Sequence, residues 1–155
     1  MADRDVAALI AWAGRSGAQA RSLDAGRVHF QHGPIDLVIG IDGEPSVRAA
    51  ALQRAWRRFD GLLNELVAEL PWLRRPVERA SSVEGRVARR MVAATRPFSP
   101  QFITPMAAVA GAVADELVDT IDDENIDRAY VNNGGDIALT LQPGRSFQVG
   151  WVVDP

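Results

Sequence analysis

The sequence contains no cysteine and no lysine. The first absence excludes disulfides, thiolate metal sites, a thiol nucleophile and a lipid-modified N-terminal cysteine. The second makes all 17 basic residues arginines, which removes Schiff-base chemistry, a P-loop lysine and Ser-Lys catalysis. Histidine is scarce as well, so only His29 and His32 offer an imidazole as ligand or base. Long apolar runs are missing too. VAALIAWAG near the N-terminus is short, and Asp3 and Asp5 precede it where a signal peptide carries positive charge. It reads as a short leading helix of a cytoplasmic protein, with no membrane span. A net charge of −3 gives no basis for non-specific binding to nucleic acid or to a membrane.

What is present suits one domain spanning 1–155, since 155 residues that are 47% hydrophobic can bury a core without staples. RVHFQHGPIDLVIGI, from Arg27 to Ile41, gives two strand-like runs around His32-Gly33-Pro34 and predicts a hairpin. Asp36 falls at an outward position by alternation. His29 and His32 fall on opposite faces, which argues against a joint metal site. From Ser46 to Leu70 the apolar residues follow one helical face, and Pro71 is expected to end that helix. Arg54, Arg57 and Arg58 lie mainly off this face and read as solvated.

A second helix is expected from about Val83 to Ala94, with Ser81 and Glu84 in capping-box spacing and Val83, Val87 and Met91 on one stripe. Seven arginines against two acids lie between Arg74 and Arg96. This is either a salt-bridged surface or a pocket for phosphate or carboxylate, with Arg86, Arg89 and Arg90 as the candidates, because guanidinium matches both anions bidentately. A third helix opens at Thr104 as N-cap and Pro105 at the first position. Ala107, Ala108, Gly111, Ala112 and Ala114 keep it slim, so a sheet or a flat ligand packs close to it. Seven acids between Asp115 and Asp127 follow, and Asp122-Asp123-Glu124-Asn125 reads as a solvated loop.

YVNNGGDIALTL, Tyr130 to Leu141, is a strand pattern interrupted by turn-formers. Asn132-Asn133-Gly134-Gly135-Asp136 reads either as a plain hairpin turn or as a stretch of bare backbone offered to a ligand, with the Asn amides and the Asp136 carboxylate as polar contacts. After QPGRS, FQVGWVV reads as another alternating strand. The fold class is therefore α+β.

TPMAAVAGAVADEL followed by YVNNGGDIAL resembles a pair of motifs in an uncharacterised ApbE-like family of bacteria and archaea, and HGPIDLVI and GRVARRMV are similar to its other signatures. The distant relative of that family is the flavin transferase ApbE. The resemblance implies a mixed or antiparallel sheet packed against helices, incomplete in this chain. It implies a flavin-nucleotide pocket built from Thr104, Met106, Ala107 and Gly111 with Asn132, Asn133, Gly134, Gly135 and Asp136. It also implies FAD or another flavin nucleotide as cofactor, and magnesium held by ligands outside the chain. Two departures stand out: Ala110 replaces the transferase's lysine, and no magnesium-binding segment follows GRSFQVGWVVDP. The chain then reads as a fragment, a subunit completed by a companion chain, or a cleaved product, and it is expected to associate through the edge of its last strand. The function expected is an enzyme or enzyme subunit acting on a nucleotide-like or heterocyclic small molecule, by magnesium-dependent flavin or phosphoryl transfer. The alternatives are a hydrolase of an amide or phosphoester, or a non-catalytic ligand-binding subunit.

Overall fold

A computed structural model describes residues 16–80 and 82–150. The expected leading helix, Ser81 of the capping box and the end of the expected last strand lie outside these residues. Five strands form one antiparallel sheet in sequence order: β1 (Gln19–Ser22), β2 (Val28–His32), β3 (Ile35–Gly43), β4 (Ile126–Asn133) and β5 (Asp136–Leu141). Between β3 and β4 the chain forms three α-helices, α1 (Pro45–Leu73), α2 (Arg86–Thr95) and α3 (Val109–Ile121). The α+β class is as the sequence indicates.

The β2–β3 hairpin turns at Gly33-Pro34, with Gly33 at φ +56°, a conformation that costs glycine little. Register pairs Phe30 with Leu37 and Val28 with Ile39, so alternation sends these side chains to one face. There they meet Trp56, Phe59 and Leu62 of α1; the Phe30 ring stands edge-on to Trp56 at 5.1 Å. Val131 and Ala138 continue the buried face across β4 and β5, where Val113, Leu117 and Ile121 of α3 cover it. Of the slim residues of α3, Ala112 and Ala114 join this core, whereas Ala107 is exposed. His29 and His32 do lie on opposite faces. His29 joins exposed Asp36 at 2.9 Å, whereas His32 is buried beside Phe59. No helix among the described residues is long and apolar enough to cross a membrane.

Several expectations are corrected. Pro71 does not end α1. Burial of Leu73 carries the helix past it, and the Arg74 amide still donates to the Leu70 carbonyl at 3.1 Å. Arg54 and Arg58 are not free surface charges. Arg54 donates to the Thr120 and Ile121 carbonyls at the C-terminus of α3, satisfying groups the helix leaves open. Arg58 reaches across to α3, as described below. Residues 145–150 form no strand; Phe147 instead packs against the Tyr130 ring on the outer face of the sheet.

The second helix starts later than its apolar stripe indicates, at Arg86. Its N-terminus is capped from another element: the Glu69 carboxylate of α1 accepts from the amides of Glu84 at 2.7 Å and Gly85 at 2.8 Å. Gly85 is what admits this carboxylate, because a Cβ there would lie 2.5 Å from Glu69 Oε1. Glu69→Ala is expected to lower stability by about 1 kcal/mol, as for other lost caps. Urea denaturation measures this, and an unchanged midpoint would mean that the cap contributes nothing.

Candidate functional site

The interrupted stretch is a two-residue hairpin turn. Asn133 pairs with Asp136, and between them Gly134 and Gly135 have φ +62° and +107°, the positive values that tight hairpin turns require. Two asparagines brace it. Asn132 Oδ1 accepts from the Gly135 amide at 2.9 Å, and Asn133 Nδ2 donates to the Ala110 carbonyl at 3.1 Å, fastening the turn to the start of α3.

That fastening sets Asp136 against the first turn of α3. Its Oδ2 lies 4.0 Å from where a Cβ on Gly111 would sit. One turn further along, Asp115 occupies the same side of α3. Arg90 and Ala94, four residues apart on α2, form the opposite wall. Together with the small side chains of Ala108 and Ala112, and with Ile137 of β5, they enclose an open cleft of about 310 Å³.

Behind the cleft lies Glu116, which is fully buried. Its Oε1 accepts from Arg58 Nε at 2.7 Å, while Arg86 Nε and Arg90 Nε lie 3.5 and 3.7 Å from Oε2. Burial works against the Arg58 charge, but hydrogen bonds to Glu116 and then Glu65 hold its pKa above the ordinary value. Arg86 and Arg90 also face Asp119, and Arg90 Nη1 is 4.0 Å from Asp115. These arginines are therefore engaged by carboxylates of α3. Of the ionisable groups that line the cleft, Arg90 is outnumbered by Asp115 and Asp136. The balance favours a ligand that brings hydrogen-bond donors over one that brings a phosphate.

The candidate residues thus divide. Arg90, Gly111 and Asp136 line one cleft. Arg86 stands behind it on Glu116, and Arg89 faces a separate depression with Val92 and Arg96. Met106 and Asn133 line an apolar groove with Leu63, Leu66 and Val67 on the other side of the α3 start. Thr104 and Ala107 line neither. Thr104 takes the N-cap backbone conformation, but its side chain makes no capping bond; its carbonyl accepts from Ala107. Gly134 and Gly135 sit at the exposed turn with nothing within 4 Å of their Cβ positions. Sequence reasoning missed Asp115, whose signal was its four-residue spacing from Gly111, and Glu116, whose partners come from the other two helices. Among the described residues no group of three or more His, Asp or Glu side chains is placed to hold a metal ion.

The fold and cleft define an α+β protein with a small, acidic, alanine-walled recess between two helices and an edge strand. Residues 19–154 match the family described as AbpE bacteria, and the chain belongs to it. No curated protein and no solved structure matches the chain. This family is not a flavin transferase family; its name resembles ApbE in spelling only, and the resemblance to ApbE-like proteins is overturned. The motifs that carried it have local causes. NNGGD meets the demands of a tight turn, and the alanine-rich helix meets those of close packing on a sheet.

Proposed function

We propose that the chain binds a small heterocycle presenting adjacent N–H donors, of the nucleobase kind, in the cleft between α2, α3 and β5. The observation that carries this reading is the convergence of Arg90, Gly111 and Asp136 on one recess of suitable size, with Asp115 beside them. A carboxylate accepts two parallel N–H bonds from such a ring, and the Ala108–Gly111–Ala112 wall leaves room for a flat face. The expectation of FAD and magnesium rested on the overturned resemblance and forms no part of this proposal. A cytoplasmic setting belongs to the proposal as well.

Guanosine, with a ring N–H beside an amino group, is a direct probe, and inosine lacks the amino group. Calorimetry should show guanosine bound more tightly than inosine, and Asp136→Asn should weaken guanosine binding about tenfold or more, the effect of losing a charge-assisted hydrogen bond. Equal affinities for the two nucleosides, unchanged in Asp136→Asn, would rule the reading out.

The hydrolase alternative has one observation in its favour: two carboxylates, Asp115 and Asp136, line the same cleft, as general acid–base chemistry uses. Self-association belongs to the same proposal. Among the described residues β5 is an edge strand, and its alternate residues Ile137, Leu139 and Leu141 are 54, 46 and 41% exposed. An apolar open edge of this kind recruits another strand. Sedimentation equilibrium should show concentration-dependent association that Leu139→Asp diminishes; a monomer at every concentration would contradict it.

A further inference from the structure

On the face of the sheet opposite the helices lies a second cleft, of about 560 Å³, between the turn at Ala25–Arg27, the strands β3 and β4, and residues 146–148. We propose that it binds a planar ring bearing an anionic group, a carboxylate or a phosphate ester. Its floor is aromatic by construction. Gly40 and Tyr130 are direct cross-strand partners, and a Cβ on Gly40 would lie 2.3 Å from Tyr130 Cε1, so the missing side chain lets the ring lie across β3.

Phe147 stands edge-on to Tyr130 at 6.0 Å, forming a wall at right angles to the floor. That wall is held in place from below. The Arg128 guanidinium lies 4.8 Å from the Phe147 ring centroid, pairs with Asp42 at 2.6 Å, and donates to the Ser146 carbonyl. Aromatic surfaces meeting at a corner suit a flat ring, which stacks on one and meets the edge of the other.

Charge decides what the ring carries. Asp42 offsets Arg128, but among the described residues the Arg27 side chain is bonded through Nε alone, to the Asp24 carbonyl at 3.0 Å, and no carboxylate pairs with it. Its remaining donors are available at the cleft's edge, so the lining carries one uncompensated positive charge. A guanidinium in this position recognises carboxylate or phosphate oxygens. This site differs in sign from the acidic cleft on the helical side and shares no lining residue with it.

The test uses the full chain and phenyl phosphate, with benzoate as the carboxylate arm and inorganic phosphate and phenol as the separated halves. Phenyl phosphate or benzoate is expected to bind more tightly than either half alone. Arg27→Ala should weaken it about tenfold or more, and Arg27→Lys should restore part of the loss. Arg27 is exposed, so the thermal midpoint without ligand should stay unchanged in both variants. Phe147→Leu should weaken the ring-bearing anions and leave inorganic phosphate unaffected. Absence of binding at millimolar concentration, or binding unmoved by Arg27→Ala and Phe147→Leu, overturns the proposal. A loss caused instead by Asp136→Asn overturns it too, because the ligand would then occupy the other cleft.

Discussion

Replacing Glu116 by alanine is expected to lower folding stability by about 3–5 kcal/mol, the range for breaking a buried ion pair on one side. The carboxylate is completely buried, and Arg58, Arg86 and Arg90 converge on it from two other helices. Truncation would leave the largely buried Arg58 charge facing a void, with only Glu65 still paired to it. The loss is the penalty of the orphaned charge more than the value of the pair. An apolar replacement of both partners, Glu116→Leu with Arg58→Met, should therefore recover much of the stability. Urea denaturation monitored through the tryptophans measures both. A loss below about 1 kcal/mol for Glu116→Ala, the scale of a surface pair, would show that the cluster is solvated and not part of the core.

The second large effect is at Gly40. An added methyl would lie 2.3, 2.8 and 3.0 Å from three atoms of the Tyr130 ring, all closer than carbon atoms tolerate. The ring must leave its position, and overpacking of this kind costs about 1–3 kcal/mol. Shortening the partner should relieve it. Tyr130→Ala in the Gly40→Ala background is expected to cost much less than Tyr130→Ala alone, a coupling that a double-mutant cycle reads directly. Additive losses would mean that the two residues do not share that space.

These two residues also show what the sequence made legible and what it did not. The β2–β3 hairpin, the α1 face and the slim α3 could be read because alternation and helical periodicity record which side of an element is buried. Gly40 carried no such signal. Its role depends on which residue of a distant strand lies opposite, and the Gly40–Tyr130 register spans the whole helical insertion. Glu116 was hidden for a related reason, since its partners come from α1 and α2 and composition counts it among seven surface-like acids. The same pairing turned Arg86 and Arg90 from anion-binding candidates into counter-charges.

The candidate site was partly legible. Gly111 and Asp136, both named from the sequence, lie side by side because the turn after β4 brings the start of β5 back over the helix packed on it. The likeness to flavin-binding motifs misled because the same residue types also meet the needs of a tight turn, at Gly134 and Gly135, and of close packing, at Ala112 and Ala114. Asn133 illustrates the point: its amide serves the Ala110 carbonyl, holding the turn to the helix.

Binding in the acidic cleft is measured most directly by a nitrogen-15 NMR titration of the full chain with guanosine. Shift changes are expected to concentrate at the Gly111, Asp115 and Asp136 amides and at Arg90 Nε, with Gly40 and Phe147 unmoved. Shifts absent at saturating guanosine, or centred on Gly40 and Phe147, would contradict it.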